Sequence, residues 1–388
     1  MTTASPTLDG LRVLDLSSNL AGPLAAMVLG DLGADVIKIE RPRGDDTRAL
    51  HPSWQGTGTV FLSVNRGKRS VVLDLATETG RDAALTLAET ADVFIESFGP
   101  GVVDGLGLGF ETVARRSPQI IYCTVSAFGA GPIGSRLPGY DSLVQGASGM
   151  MSITGHPGGP PTRVAPSAVD LSTGLWLVIA IQDALARRAR DGADARATRL
   201  EVALVDSAIN LMGHQVLGML ATGEVPRPLG SGSPSSIPNG AFAAADGWVI
   251  VATGNDAQWR RLCEVLETPE LLEDERFATI PQRIAHRDAL QTRLDARFAT
   301  DAVDGWIERL HAARVPAGRY QDLRDAIEHP LVAERGLLVS LDSDEQLPQL
   351  RLPIDPAGGG IRHGPPALGQ HTTEVLVEAG LDDSFTSG

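Results

Sequence analysis

One stretch near the beginning of the chain decides the fold: residues 11–40, LRVLDLSSNLAGPLAAMVLGDLGADVIKIE. Residues 11–16 form a short apolar run bounded by polar residues, which is typical of a buried strand. Pro23 suits the first turn of a helix, because it has no N–H to lose there, and the helical run ends at Gly33. Residues 35–39 are the next strand. The order strand, helix, strand predicts two parallel strands joined by a right-handed crossover.

The alternation of strands and helices continues along the chain. Further strands are predicted at 70–75, 92–96, 119–125 and 198–203, and helices at 77–91, 168–190 and 205–220. Thr77 is the expected N-cap of the first of these helices. The pattern predicts an α/β fold, with a Rossmann-like open parallel sheet in a large domain and a smaller α+β domain.

Proline and glycine crowd residues 223–240 (GEVPRPLGSGSPSSIPNG), which indicates a domain boundary that carries a functional loop. Residues 241–320 begin with a hairpin-like segment and continue with helices. We therefore predict the first part of a large domain in 1–222. A linker and active-site loop follow in 223–240, and a small domain in 241–320. Residues 321–388 are the return linker and the C-terminal part of the large domain.

Composition limits the classes of function. The net charge of −15 over 388 residues argues against general binding of nucleic acid or of anionic membranes. Cys123 and Cys263 are the only cysteines, so no disulfide framework is expected and a reducing cytoplasm fits best. The longest apolar run, 175–181, is too short to span a bilayer, and the histidines form no pair at ligand spacing. We expect a cytoplasmic protein with no metal and no permanently bound cofactor.

Positive charge is unevenly spread along the sequence. Lys38 and Lys68 are the only lysines, and they lie among Arg41, Arg43, Arg48, Arg66 and Arg69. This cluster predicts either a site for a multiply phosphorylated ligand or a solvated basic surface. NAD is not expected, because Gly22 is a single glycine where the dinucleotide fingerprint needs three.

Asp170 is the candidate catalytic residue that needs the most careful weighing. It lies in residues 168–174 (AVDLSTG), immediately before the apolar run. From the residues alone, this position is that of a helix cap or of a first-turn acid, which the helix dipole stabilises.

A series of short motifs runs along nearly the whole chain. They are LDGLRVLD (8–15), AGP (21–23), LGADVIKIE (32–40), NRGKRS (65–70), FGPG (98–101), SAFG (126–129), YDSLVQ (140–145), DLSTG (170–174), VPAG (315–318), HP (329–330) and LGQH (368–371). Through these motifs, in this order, the chain resembles the family III CoA-transferases, the CaiB/BaiF type that includes formyl-CoA and carnitine CoA-transferases.

The resemblance implies that the large domain, whose first part is 1–222, binds CoA and is catalytic, and it also implies roles for individual residues. Asp170 would be the nucleophile and Asp141 would lie close to the reacting acyl group. The residues expected to line the CoA channel are Asn19, Leu20, Ala21, Arg41, Leu73, Ser97, Phe98 and Val102. The glycine-rich segment 230–237 would cover the site. The resemblance also implies an interlocked homodimer, with acyl-CoA and a free carboxylic acid as the substrates.

The chemistry suits an aspartate. A carboxylate with an ordinary pKa near 4 is ionised at neutral pH and needs no partner base. Its attack on an acyl-CoA would give a mixed anhydride and then an aspartyl-CoA thioester, and an acceptor acid would reverse the sequence without ATP or metal. Backbone N–H groups, including those of the helix that begins near Asp170, are the expected oxyanion donors.

Three departures from the family pattern bear on substrate choice. Leu20 stands where oxalate-using members carry Gln, so an oxalate-like acceptor is not expected. Gly105 and Pro138 stand where those members carry Arg and Lys, which removes two expected contacts to CoA. The acyl donor and the acceptor acid cannot be named from the sequence.

Two other functions are weighed against transfer. An α-methylacyl-CoA racemase uses a His and an Asp as paired bases, and Tyr140 stands here where the racemase carries the His. A non-catalytic acyl-CoA binding protein is the second alternative, and an intact Asp170 argues against it.

Overall fold

The computed structural model describes residues 5–341, 347–356 and 358–381. These residues form two compact units. The larger unit combines the chain up to residue 151 with residues 163–224 and the chain from 333 onward, and the smaller unit combines 152–162 with 225–332.

The centre of the larger unit is a parallel sheet. The strands of the described residues are β1 Arg12–Leu16, β2 Asp35–Glu40, β3 Ser53–Trp54, β4 Thr57–Gly58, β5 Lys68–Val72, β6 Val93–Glu96, β7 Ile121–Ser126, β8 Thr198–Ala203, β9 Asn239–Ala244, β10 Gly247–Ala252, β11 Ala317–Arg319, β12 Leu338–Val339 and β13 Gln349–Leu350. Six of them pair in the order β5-β2-β1-β6-β7-β8, and every pairing is parallel. The strand order therefore reverses between β1 and β6.

Helices cover this sheet. The α-helices of the described residues are α1 Ala21–Asp31, α2 Thr59–Val64, α3 Glu78–Glu89, α4 Val102–Gly105, α5 Phe110–Arg116, α6 Asp141–Ala147, α7 Met150–Ile153, α8 Ala168–Asp191, α9 Leu204–Leu211, α10 Gly213–Thr222, α11 Asp256–Leu266, α12 Glu270–Glu273, α13 Ile280–Ala285, α14 Arg287–Phe298, α15 Val303–Ala312, α16 Leu323–Glu328, α17 Pro330–Glu334 and α18 Thr372–Glu378. The mixed α/β architecture and the parallel sheet confirm that part of the fold prediction.

Alternation along the strands divides the core between the two faces of the sheet. Leu14, Ile37 and Phe94 lie side by side in register and are buried against residues of α3, α5 and α18. Their neighbours Val13 and Val36 are buried on the opposite face. Helix α1 packs along α8 and also contacts β1, β2 and β6. The two faces are therefore covered by different sets of helices.

Most of the predicted elements are present, with shifted ends. Helix α1 begins at Ala21, so Pro23 lies in its first turn as predicted. Thr77 caps α3, because its side chain accepts a hydrogen bond from the backbone N–H of Gly80 at 3.0 Å. The helix predicted over 205–220 is instead two helices, which meet at Met212.

Strand β5 begins at Lys68, two residues before the predicted start at residue 70. The hydrophobic pattern does not predict this start, because Lys68 is a charged residue that is nevertheless buried. Lys68 is fully buried, and its Nζ lies 2.8 Å from Asp15 Oδ2, 2.8 Å from Asn65 Oδ1 and 2.9 Å from the carbonyl oxygen of Pro23. Burial would raise the pKa of Asp15, but Lys68 and Lys38 outweigh it and hold that pKa below its ordinary value. The lysine and its partner thus form a paired ionic site inside the sheet.

Lys38 extends this buried ionic network. Its Nζ lies 3.1 Å from Asp45 Oδ2 and donates to the carbonyl oxygen of Ser17 at 2.9 Å. Glu40, at the end of the same strand, accepts two hydrogen bonds from Arg48, at 2.7 and 2.8 Å. We call the residues Asp15, Lys38, Glu40, Asp45, Arg48, Asn65 and Lys68 the ionic network.

The smaller unit is built on the antiparallel sheet β11-β10-β9. Its core contains Trp259, Phe298 and Trp306, which lie on α11, α14 and α15. This organisation matches the α+β prediction for residues 241–320. The predicted boundaries differ, because 152–162 and 225–240 pack with this unit rather than with the large domain and a free linker. One bond that joins the two segments runs from the N–H of Gly230 to the carbonyl oxygen of Gly155, at 2.8 Å.

Helix α8 is unusual for its apolar composition. Together with the turn that follows it, to Asp194, it is long and apolar enough to cross a membrane by length and composition, with a mean hydropathy of 1.4. This corrects the prediction from the shorter run 175–181. Only 33% of its most apolar window is buried, and Leu175, Trp176 and Ile179 are exposed.

Candidate active site

Two adjoining cavities open at the carboxyl ends of the parallel strands in the larger unit. This is the edge at which open α/β sheets bind ligands, next to the point where the strand order reverses. Ser18, which follows β1, and Ser97, which follows β6, line both cavities. The Oγ of Ser97 accepts a hydrogen bond from the N–H of Ser18 at 2.9 Å. The reversal point of the sheet thus forms the wall that the cavities share.

The first cavity, which we call the acid pocket, has a volume of about 360 Å³. It contains both predicted catalytic residues, Asp141 and Asp170, with Asn19, Leu20 and Ala21 on its wall. Asn19 has a φ of 65°, a left-handed conformation that asparagine tolerates better than most residues. This turn lets the chain leave β1 and enter α1 along the pocket wall. Residues distant in sequence are therefore brought together in one pocket.

The first turn of α8 is capped by a side chain from another helix. Its N-cap residue, Ser167, makes no side-chain capping bond. Instead, Oδ2 of Asp141 accepts hydrogen bonds from the N–H groups of Val169, at 3.1 Å, and of Asp170, at 3.3 Å. Gln145 donates to the other oxygen of Asp141 at 2.6 Å. Asp141 therefore holds the turn that carries Asp170.

Asp170 is in the first turn of α8, but it does not cap the helix. Asp141 takes that role, and the carboxylate of Asp170 accepts no hydrogen bond within the part of the chain that the structure describes. Burial, and then the charge of Asp141, raise the pKa of Asp170 to about 7. The carboxylate of Asp170 is therefore harder to ionise than one with an ordinary pKa near 4, because an unpaired charge is disfavoured in this pocket.

Free backbone donors lie on α1 rather than on α8. In the first turn of α8, the N–H of Ala168 donates to Pro166 and that of Leu171 to Ser167, while Asp141 occupies the two between them. The predicted oxyanion donors near Asp170 are thus already used. Helix α1 has no side-chain cap and begins on the pocket wall, so its first N–H groups lack partners within the helix.

The second cavity, which we call the outer cavity, has a volume of about 350 Å³. Arg41 and Phe98, both predicted to bind CoA, line it together with Ser97. Acidic side chains outnumber cations among its lining residues, which include Glu40, Asp45, Asp46, Asp74, Lys38 and Arg41. We therefore expect a ligand in this cavity to place its anionic groups near Arg41 and away from the acidic side chains.

Comparison with known proteins decides the family. The model of "CoA-transferase family III" matches residues 8–372. The chain belongs to CoA-transferase family III. It is 36% identical to the succinate–glutarate CoA-transferase of Agrobacterium fabrum, over 97% of each chain. It is 37% identical to the succinyl-CoA:mesaconate CoA-transferase of Haloarcula hispanica, over 96% of each chain.

The fold of the family is also found in a solved structure. A CaiB/BaiF family protein from Brucella suis is 37% identical, covers 97% of this chain and 100% of its own, and superposes with a TM-score of 0.86. The relatives are named CoA-transferases, and this chain is accordingly a CoA-transferase enzyme. The alternative of a racemase is not favoured by these matches.

The cationic cluster of this family III chain is mostly structural. Lys38 and Lys68 are buried in the ionic network, and Arg48 pairs with Glu40 there. Arg66 is buried against Asp31, and Arg69 pairs with Asp35, Glu374 and Glu378. Arg43 is exposed, and Arg41 is partly exposed and pairs with Asp46. The prediction of one phosphate-binding cluster is therefore wrong, because its other members are already paired with acidic side chains of the protein.

Two residues predicted for the CoA channel do not join the others. Leu73 is buried in the core beneath α3 and lines neither cavity, whereas the next three residues, 74–76, line the outer cavity. Val102, the first residue of α4, is 47% exposed and also lies outside both linings. Their inclusion rested on the family resemblance and not on a local pattern.

Among the lining residues of the acid pocket that were not predicted from the sequence, one is charged. Arg163 lies in the irregular segment between α7 and α8 and lines the pocket with Asp170. The signal was available: it is a lone cation in a Pro/Gly-rich segment, seven positions before the predicted nucleophile.

Proposed function

We propose that this family III enzyme transfers CoA from an acyl-CoA to a free carboxylic acid, with Asp170 as a covalent nucleophile. One observation carries the proposal: the carboxylate of Asp170 has no hydrogen-bond partner among the described residues, yet it lies half-buried in a pocket that adjoins a second cavity. A structural carboxylate would be paired at such a position.

The first half of the reaction moves CoA onto the enzyme. A carboxylate oxygen of Asp170 attacks the thioester carbon of the donor, and the C–S bond breaks to release the CoA thiolate. The thiolate then attacks the Asp170 carbonyl of the mixed anhydride and releases the donor acid as a carboxylate. The enzyme now carries an aspartyl-CoA thioester. The thiolate is a good leaving group because thiol pKa values lie near 8.5.

The second half repeats these steps with the acceptor acid. Its carboxylate attacks the aspartyl thioester, CoA thiolate leaves, and the thiolate then attacks the acceptor carbonyl of the new anhydride. Asp170 leaves as a carboxylate. One thioester is made for each one broken, so no energy source is consumed. The open N–H groups at the start of α1 are the donors proposed for the charged oxygen of each tetrahedral intermediate.

In the proposed function, the two cavities bind different parts of the CoA molecule. The larger unit would act as a Rossmann-like CoA-binding domain, a reading supported by the parallel sheet and by the cavities at its reversal point. The outer cavity would hold the nucleotide end of CoA, with Arg41 near its phosphates. Ser18 and Ser97 would line the passage of the thiol arm into the acid pocket. Closure of the site by residues 230–237 stays a prediction.

Dicarboxylic acids are the substrates proposed for this chain. The relatives are named for succinate, glutarate and mesaconate, all of which carry two carboxyl groups. Leu20 replaces the Gln of oxalate-using members and favours an acid longer than oxalate.

Trapping the intermediate tests the mechanism. Incubation with succinyl-CoA followed by hydroxylamine should convert the activated side chain to a hydroxamate. Trypsin should release the modified residue in the peptide 164–187, and fragmentation should place the change on Asp170 rather than on Asp183. Asp170→Asn is the matched control and should give no hydroxamate. An unlabelled wild-type peptide during active turnover would exclude the covalent mechanism.

We also propose that the enzyme is a homodimer, interlocked as in the family. The exposed apolar side chains of α8, with Leu217 and Leu220 of α10, support a covered surface. A second copy explains these side chains without a membrane, and a cytoplasmic location stays a prediction. Light scattering at micromolar concentration should give twice the mass of the chain, 40.8 kDa. A monomer would exclude the interlocked assembly, whose interface should exceed the roughly 1,600 Å² of a standard complex.

A further inference from the structure

The acid pocket contains one cation among its described lining residues, Arg163. Its Nη2 donates a hydrogen bond to the carbonyl oxygen of Ala165 at 3.2 Å. The ion pairs formed within the described ranges do not include it, although many other arginines of the chain are paired. The pocket therefore presents a guanidinium group that has donors to spare and no carboxylate partner.

Arg163 forms no ion pair with Asp170 within the described residues. A cation close to Asp170 would lower its pKa, but burial and Asp141 alone act on that carboxyl group, and both raise it. The guanidinium and the Asp170 carboxylate are therefore separate features of the same pocket. A ligand that reaches both must carry its reacting group at one point and an anionic group at another.

The rest of the lining selects the shape of such a ligand. Apolar and uncharged polar side chains share the rest of the lining. Leu20, Leu50, Val60, Val125 and Leu204 are the larger apolar ones, and five serines are among the polar ones. A volume of about 360 Å³ lies near the lower end of ordinary ligand pockets, which suits a small acid. A small pocket with apolar side chains in its wall and a single cation fits a short carbon chain that ends in a carboxylate.

We propose that Arg163 is a specificity-determining residue, which binds the remote carboxylate of a short dicarboxylic acid while the other carboxyl group reacts at Asp170. The proposal deepens the proposed function and rests on it. Guanidinium binds carboxylate through two parallel hydrogen bonds, so it orients the chain of the acid as well as holding it. A monocarboxylic acid of the same length gains nothing from this contact.

Paired acceptors of equal chain length test the inference. With succinyl-CoA as donor, wild-type enzyme should use glutarate better than valerate in kcat/KM. Arg163→Gln should lower kcat/KM for glutarate about 10- to 100-fold, the range for loss of a charged hydrogen bond. The value for valerate should change less than threefold. Acetyl-CoA as donor repeats the comparison without a second carboxylate on the donor.

Two further variants keep the result interpretable. Arg115→Gln removes an exposed arginine from α5, outside both cavity linings, and should leave both acceptors unchanged. Arg163→Lys should recover part of the glutarate activity, because the charge remains while the paired hydrogen bonds are lost. If Arg163 instead bound CoA, the KM for acyl-CoA would rise and both acceptors would lose activity alike.

The outcomes separate this inference from the proposed function. Transfer through a labelled Asp170 with equal use of glutarate and valerate by wild-type enzyme would overturn the role of Arg163 and leave the transferase mechanism in place. The same holds if Arg163→Gln affects both acceptors equally. Failure of every acid to accept CoA, with no hydroxamate on Asp170, would overturn the proposed function itself.

Discussion

The ionic network and the acid pocket are two charged regions of the same unit, and they differ in whether their charges are paired. In the network, Lys68 and Asp15 are fully buried and lie 2.8 Å apart. In the pocket, Asp170 and Arg163 face a cavity, and neither has an ion-pair partner within the described residues. Charges paired inside the protein hold the fold, whereas charges left without a partner are available to a ligand. The comparison predicts opposite effects of mutation in the two regions.

The largest effect is expected at Asp170. Asp170→Asn should lower transfer by at least about 1,000-fold, since an amide is a very poor nucleophile. It should also raise the stability of the fold at pH 8, because it removes a buried unpaired charge. The folded-state pKa near 7 lies above the unfolded value of 3.8, so the native charge costs stability increasingly from pH 4 to pH 7.

Urea unfolding of both proteins at pH 3.5 and pH 8 measures this gain in stability. The free energy of unfolding should differ by on the order of 1–4 kcal/mol at pH 8 and by much less at pH 3.5. Equal stability of the two proteins at pH 8 would mean that Asp170 has a partner in solution, and the contrast between the two regions would fail.

The largest loss of stability is expected in the ionic network. Lys68→Met should cost about 3–5 kcal/mol, because it leaves the buried carboxylate of Asp15 without its nearest cation. Arg116→Met breaks an ion pair of the same length, 2.8 Å to Glu89, that is exposed to solvent. That control should cost less than about 1 kcal/mol. Similar losses in the two variants would show that burial does not set the value of these pairs.

The pH dependence of the reaction tests what raises the pKa of Asp170 in the acid pocket. Because the carboxylate is the reacting form, kcat/KM should rise with pH through a limb near 7. Asp141→Asn should move this limb to lower pH, since it removes the like charge that raises the pKa of Asp170. Its amide oxygen can still accept one capping bond, so the variant should keep part of its activity. A limb at the same pH in both enzymes would assign the shift to burial alone.

The smallest effect is expected at Arg41, an accessible member of the predicted cluster. Arg41→Ala should raise the KM for acyl-CoA about two- to tenfold with little change in kcat, and the difference should shrink as salt increases. Arg115→Ala is the control, since it lies outside both cavities. An unchanged KM would leave Arg41 as the partner of Asp46 and nothing more.

The sequence predicted the elements of the fold better than their charged contacts. Strand β8 and the start of α8 were predicted at the right residues, because hydrophobic periodicity is a local signal. The true start of β5 was missed, since a lysine at a strand end reads as exposed unless its partner is known. That partner, Asp15, lies 53 positions away.

For the candidate site, too, the residues were predicted better than their contacts. The resemblance brought Asp141 and Asp170 into one prediction, and the structure places them in one pocket. It could not show that Asp141 caps the helix of Asp170, because that contact depends on the approach of α6 to α8. Arg163 was missed although it is a lone cation near Asp170 in the sequence, because only the fold shows that the two residues line the same pocket.

Because both lysines are buried, reagents and proteases that act on lysine side chains cannot reach them while the protein is folded. Lys38 and Lys68 are at most 1% exposed and lie on β2 and β5, two adjacent strands at one edge of the sheet. A lysine-specific protease, or a reagent that acylates lysine side chains, must wait until those strands separate. The rate of such cleavage therefore follows the opening of the sheet rather than the motion of surface loops. Because these two side chains are shielded from solvent in the native state, the rate at which they are cleaved or modified reports unfolding without an engineered label.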